Sequence, residues 1–463
     1  MAGQTNAIPT ELGTEKIGKL LKQYALPAII AQTAASLYNM VDSIFIGQGV
    51  GPLAISGLAI TFPLMNLSTA FGTLVGAGAA TMLSVLLGQK NYKAANKVLG
   101  NVVTLNTIIG LVFMALALIF IDPILYFFGA SENTLPYAKE YIRIILIGNV
   151  ITHLYFGLNA AMRSSGHPKK AMALTIFTVV FNTILDPIFI FWLDMGISGA
   201  AWATVIAQTV AMLVVMWHFN DKSRPFHFEK GIFRLDMRVA KDSLAIGMGP
   251  FLMNAAACLV TLFINQQLRR YSGDLGIGAY GICNRFVFMF IMICMGLNQG
   301  MQPIAGYNYG ARQYSRVREV FWKTAKLGMA VTTFCFLIGM FIPKAAAGIF
   351  THDEQLLELS ARSMRILTLA FPIVGMQMIG TNFFQSLGMV NKSIILSLSR
   401  QILFLLPLLY ILPRYIGSDG VWASFPISDV ISTVMTLYML GKLFKKFSQL
   451  KDGDDPSSLG SKL

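Results

Sequence analysis

Charge is what this sequence has least of. Only 13% of its 463 residues are Asp, Glu, Lys or Arg, while 55% are hydrophobic. That balance cannot give a soluble domain its charged surface, so the solvent for most of the chain is lipid. Cysteine is scarce as well. Cys258, Cys283, Cys294 and Cys335 all fall in apolar stretches without metal-like spacing, which excludes a disulfide framework and a zinc site. The five histidines are scattered. There is no Walker A sequence, no Gly-x-Ser-x-Gly elbow and no His-Glu-x-x-His pair. Neither an enzyme nor a bound cofactor is expected.

What fills the chain is a series of apolar runs, each close to the roughly 20 residues that a helix needs to cross hydrocarbon. A β-barrel would alternate instead. The runs are predicted at 17–46, 53–87, 98–121, 137–162, 171–192, 197–219, 239–268, 277–303, 320–342, 356–387, 394–412 and 421–443. The residues up to Gly13 are polar, and Lys16, Lys19 and Lys22 precede the first run, which reads as a retained span and not as a signal peptide.

Twelve spans put both termini on one side, and the positive charge says which. Lys90, Lys93, Lys97, Arg163, Lys169, Lys170, the bases between Lys222 and Lys241, those between Arg312 and Lys326, and those of the C-terminal tail all fall in loops on the side of the termini. The opposite loops hold Arg269, Arg270, Lys344 and Arg414. Short loops rich in Lys and Arg stay in the cytoplasm, so both termini are expected there, in an inner membrane. The net charge of +14 then needs no nucleic acid to explain it, and any pull on lipid headgroups is a by-product.

The chain is also duplicated. Gly88, Tyr92 and Val98 recur 222 positions on as Gly310, Tyr314 and Val320, and Arg143, Ser164, Gly166 and Lys170 recur as Arg365, Ser386, Gly388 and Lys392. Gly196 and Trp202 find counterparts in Gly417 and Trp422 after small gaps. Each half has an even number of spans, so the halves enter the membrane in the same direction. The expected organisation is an N-terminal lobe at 1–220, a cytoplasmic linker at 221–238, a C-terminal lobe at 239–447 and a cytoplasmic tail at 448–463. The fold class is an all-α membrane protein with twelve spans in two six-helix pseudo-symmetric lobes, a plan suited to alternating access.

Tyr38, Asp42, Gly47 and Gly51, then Arg163, Gly166, Pro168 and Lys169, Asn182 and Asp186, Gly199-Ala200 and Ala203-Thr204, and finally Gln302-Pro303 with the run Gly306-Tyr-Asn-Tyr-Gly310 together resemble the multidrug and toxic compound extrusion (MATE) family over nearly the whole chain. The resemblance implies an outward-open V of two lobes, export of amphipathic organic cations and coupling to inward movement of H+ or Na+. No Asp or Glu lies deep in the seventh, eighth or tenth span, so the chain looks like the prokaryotic DinF-like branch, whose N-terminal lobe holds the ion site.

The cost of burying charge selects the same residues. An ionisable group in the bilayer core is expensive and normally faces a cavity or a partner. Asp42 and Asp186 are the deep acids of the first half; Tyr38 and Asn39 share a helix face with Asp42, and Asn182 shares one with Asp186. If the first and fifth spans pack together, two polar stripes converge. A proton could bind there. A Na+ ion could instead use Asp42, Asn182, Asp186 and Thr204, with Asn159 nearby.

Pro27 removes a hydrogen bond inside the first span and predicts a bend; the resemblance suggests that this bend changes on protonation. Gln32, Arg285, Met289 and Met292 are candidates for a substrate cavity, the methionines because they repack around varied ligands. Arg285 and Arg400 lie within apolar spans and should each find a cavity, an acid or a carbonyl, with Asp429 a candidate partner. His153 reads as a hydrogen-bonded packing residue. The expected partners are small-molecule substrates and membrane lipids, the chain working as a monomer. A flippase for lipid-linked precursors is the alternative, favoured by the two arginines.

Overall fold

The computed structural model describes residues 10–454 except 51, 224–225, 230, 232 and 351–352; the side chains at 38–44, 47–48, 52–53, 55–56, 269 and 274 stand outside that description. Every regular element among the described residues is helical. The spans are α1 (Ile17–Gly49), α2 (Pro52–Gly88), α3 (Tyr92–Ile119), α4 (Leu135–Ile147 and Asn149–Ser164), α5 (Pro168–Pro187, continuing through Ile188–Trp192) and α6 (Gly196–Asn220). The second half repeats them as α7 (Met237–Leu268), α8 (Leu275–Gly310), α9 (Tyr314–Phe341), α10 (Glu354–Thr368 and Phe371–Ser386), α11 (Val390–Ile416) and α12 (Ser418–Phe447). Among the described residues nine single helices and two bent pairs are long and apolar enough to cross a membrane. With α1, whose 33 residues exceed a membrane's thickness, they occupy the twelve expected places.

The duplication is written into the backbone. Lys90 and Arg312 both take φ of 58°, Gly166 and Gly388 take 94° and 68°, and Gly196 and Gly417 take 57° and 61°. Left-handed backbone at matching positions ends corresponding helices in the same way. The bends repeat too: α4 turns by 53° and α10 by 56° at equivalent breaks. Hydropathy alone does not show these bends, because both arms of each span are apolar.

Contacts divide the chain into two units, one of Met1–Thr14 and Ile30–Phe251, the other of Glu15–Ile29 and Leu252–Leu463. This departs from the expected boundaries in two places. The first half of α1 belongs to the second unit, and the linker with the first half of α7 belongs to the first. Close helix contacts are the reason. A Cβ on Gly300 would lie 2.4 Å from Ala25 Cα, and one on Gly296 2.5 Å from Ile29 Cα. In the first unit a Cβ on Gly247 would lie 1.7 Å from Leu74 O, and one on Gly78 1.9 Å from Ser243 O. Lipid gives helices no hydrophobic reason to associate, so small residues that let backbones approach decide which helix seats where.

In the first unit α2 packs on α4 in the same way, with Gly76 facing Gly157. The second unit has an apolar core built from Val260, Ile264, Phe286, Phe290, Leu405 and Trp422. The tail is tied down as far as it is described: Asp452 accepts from Ser315 N at 3.0 Å, supplying a cap to α9, and Tyr314 donates its hydroxyl to Asp454 O at 2.7 Å.

Candidate functional site

Asp186 lies near the end of α5 with none of its surface exposed. Asn182, one turn earlier on the same face, donates Nδ2 to its Oδ1 at 2.8 Å. Its Oδ2 is buried and has no partner among the described residues. Pro187 follows and offers no N–H, so the helix cannot continue regularly. It widens into a π-helical turn over Ile188–Trp192, closed by Leu193 N to Ile188 O at 2.9 Å. Such turns inside α-helices cluster at functional sites.

This wide turn is where α1 and α6 meet α5. A Cβ on Gly49 would lie 2.4 Å from Ile190 Cγ2, and Phe45 meets Phe191 edge to face at 6.5 Å. Ile46, Ile190, Ile197 and Ala200 share one apolar cluster. The first and fifth spans thus pack together within the first unit, the condition on which convergence of the polar stripes depended. The backbone of Asp42 is two turns before Gly49, at about the depth of Asp186. The side chains of Asp42 and Tyr38 lie outside the described residues.

On α6, Gly199 abuts Phe189, since a Cβ there would lie 2.9 Å from the Phe189 carbonyl carbon. Counting back along the antiparallel pair brings Thr204 level with Ile184, within a turn of Asp186. Thr204 Oγ1 donates to Ala200 O at 3.1 Å. Asn159 is elsewhere. Its Nδ2 donates to Ala171 O at 3.2 Å, near the start of α5, and Asp186 is about 22 Å further along that helix. Asn182 thus bonds Asp186, Thr204 lies within a turn of its level on the neighbouring helix, and Asn159 stands at the other end of α5. Among the described residues no group of three His, Cys, Asp or Glu gathers anywhere.

Pro27 lies inside α1, two residues before the point where that helix passes from one unit to the other. Gln32, just beyond, is half-buried. In the second unit Arg285 and Met289 are exposed on α8, whereas Met292 is buried, so the three cavity candidates do not share one environment. Arg400 Nε donates to Asp429 Oδ1 at 2.6 Å, and Ser428 Oγ donates to Arg400 O at 2.8 Å. The candidate acid is thus the partner of Arg400. Arg285 makes no ion pair among the described residues.

Two polar clusters carried weak sequence signals. His153 Nε2 lies 2.9 Å from Ser68 O, and Ser68 also bonds Asn149, all at the centre of the first unit. A carbonyl only accepts, so Nε2 carries the hydrogen. In the second unit Asn308, from the run ending at Gly310, accepts from Arg316 Nε at 2.8 Å, while Arg316 Nη2 donates to Glu15 O at 2.6 Å. The motif thus holds the start of α1. Its spacing marks Asn308 in the sequence, but nothing there joins it to residue 15.

A helical, duplicated, polytopic membrane protein with a buried carboxylate at a broken helix is the plan of a two-lobed transporter. The MatE family profile matches residues 27–188 and again 250–411, one match per half, and the chain belongs to that family. It is 27% identical over 428 residues to the multidrug export protein MepA of Staphylococcus haemolyticus (strain JCSC1435), covering 92% of this chain and 94% of that one. Among solved structures, the MATE multidrug transporter DinF-BH is 36% identical, with a TM-score of 0.88 over 97% of this chain and 100% of that one. A MOP superfamily transporter from Pyrococcus furiosus, described as having a binding pocket of reverse polarity, is 22% identical with a TM-score of 0.88, covering 96% of this chain and 99% of that one. That likeness supports the fold.

Proposed function

We propose that this chain is a secondary active multidrug exporter. It moves amphipathic organic cations out of the cytoplasm in exchange for H+ or Na+ and works as a monomer in the inner membrane, with both termini cytoplasmic. The observation that carries the reading is the buried Asp186, whose Oδ2 has no partner among the described residues beside Asn182, where Pro187 breaks α5. Membership of the MatE family and the functions named for MepA and DinF-BH support export of drug-like compounds. Ion and substrate need not touch. Each has only to favour a different conformation, and the difference in the ion's affinity for the two conformations limits the coupling.

Arg285 favours a second reading. An exposed guanidinium inside a span, with no ion pair among the described residues, is expensive against lipid, so its face of α8 should meet water. A positive wall suits acidic amphiphiles, including lipid-linked precursors. The test is efflux of a fluorescent organic cation from proteoliposomes under an imposed H+ or Na+ gradient, with Asp42→Asn and Asp186→Asn beside the native chain. Gradient-driven export that either substitution abolishes supports the antiporter and names its ion. Intact protein that exports nothing under either gradient, yet moves an acidic lipid across the bilayer, sinks it.

A further inference from the structure

The connection between the halves is not a free linker. Phe228 N donates to Phe219 O at 2.8 Å, Asn96 Nδ2 to Glu229 at 2.7 Å, and Thr104 Oγ1 to Phe233 O at 2.8 Å. Asp236 takes Lys97 Nζ at 3.2 Å and caps α7, while its own N–H goes to Asn101 Oδ1 at 3.1 Å. The chain therefore lies along α3 from Asn96 to Thr104. After Lys97, α3 has no charged residue, so that lysine marks the edge of the hydrocarbon. Thr104 is seven residues beyond it, about 10 Å deeper.

Charge is sorted along this stretch. The acids Glu229 and Asp236 are both held by α3, and the N–H of Val239 with Lys97 keeps the Asp236 carboxyl below its ordinary value, so the tie stays charged. Arg234 and Arg238 are exposed with no ion-pair partner among the described residues. At alternate positions, Phe233 before Arg234, and Leu235 and Met237 between the two arginines, are 47%, 36% and 59% exposed. Water is a poor neighbour for three such side chains so close together. Apolar groups at this depth, with bases beside them and the acids Glu229 and Asp236 engaged by Asn96 and Lys97 of α3, match a surface that enters the boundary of a negatively charged leaflet.

We propose that the described residues between 227 and 238 form an interfacial anchor, which sinks Phe233, Leu235 and Met237 into the cytoplasmic leaflet and binds anionic phospholipid headgroups through Arg234 and Arg238. The anchor fixes the start of α7 at a set depth. This goes beyond the transport reading and is tested without a gradient or a drug.

The full chain is reconstituted with diazirine-tagged phosphatidylglycerol or diazirine-tagged phosphatidylcholine, irradiated, and its labelled peptides are mapped by mass spectrometry. Peptides covering 227–238 should label preferentially with the anionic lipid. The preference should drop about five-fold for each of Arg234→Gln and Arg238→Gln, and return with Arg234→Lys and Arg238→Lys. Equal labelling by the two lipids, no labelling of this stretch, or a preference that survives both Gln substitutions overturns the proposal. Should the Gln variants fail to fold, the comparison of the two lipids on the native chain decides it.

Discussion

The pair formed by Arg400 and Asp429 gives the sharpest quantitative expectation. Asp429 keeps 3% of its side-chain surface and Arg400 keeps 26%, so the two members should respond differently to loss of their partner. Removing one member of a buried pair costs about 3–5 kcal/mol, because the other charge is left uncompensated. Arg400→Met strands the nearly enclosed carboxylate and should cost about 3 kcal/mol, the low end of that range. Asp429→Leu strands a group that already reaches out of the unit, and should cost about half as much. The double substitution removes both desolvation penalties and should fall within about 1 kcal/mol of the native chain. A coupling of at least about 2 kcal/mol between the sites follows. Trp422, 1% exposed in the core of the same unit, reports thermal unfolding by fluorescence. At roughly 2 °C per kcal/mol for a unit of this size, Arg400→Met should lower the midpoint by about 6 °C and the double variant by about 2 °C. A double variant no more stable than Arg400→Met would refute the reasoning and point to a role for Asp429 other than neutralising the arginine.

Two further outcomes follow from position alone. Asn159→Ala should leave the ion dependence of transport unchanged in the proteoliposome assay, because Asn159 is held at Ala171 about 22 Å along α5 from Asp186; a changed ion response would place Asn159 in the coupling site. Gly300→Ala puts a Cβ 2.4 Å from the Ala25 backbone, whereas Gly281→Ala meets nothing within 4 Å. The first should cost about 1–3 kcal/mol and speed hydrogen exchange in residues 15–29, and the second should do neither; equal behaviour of the two would show that α1 is not seated on α8 as described.

How much of this was legible in the sequence depends on how local the cause is. Span count, duplication and the polar company of Asp186 follow from runs and spacings of a few residues, and Asn182 at four residues before the acid is a contact that helical geometry fixes. The division into units was not legible. Expecting a linker at 221–238 rests on polarity, while the division of contacts at Phe251 follows which glycines admit a neighbouring backbone. The linker's polarity is real, but its acids serve α3 instead of water. Asn159 shows the same limit from the other side. It resembles a site residue by type, yet the turn between α4 and α5 puts it at the far end of the helix that carries Asp186.

The difference between the halves bears on function more than their likeness does. Helices α5 and α11 are repeat counterparts, and at the offset of 222 the positions of Asn182 and Asp186 correspond to Phe404 and Leu408, both apolar. Through Trp202 and Trp422, Thr204 corresponds to Ser424. The second unit therefore keeps a hydroxyl on the twelfth span but has lost the carboxylate from the eleventh. Its one deep acid on these two helices, Asp429, is paired through Oδ1 with Arg400, whereas Asp186 in the first unit has the neutral amide of Asn182 on its Oδ1; the Oδ2 of each acid has no partner among the described residues. Under the proposed exchange, the acid available to a coupling ion is therefore the one in the first half, where no cation stands beside it among the described residues.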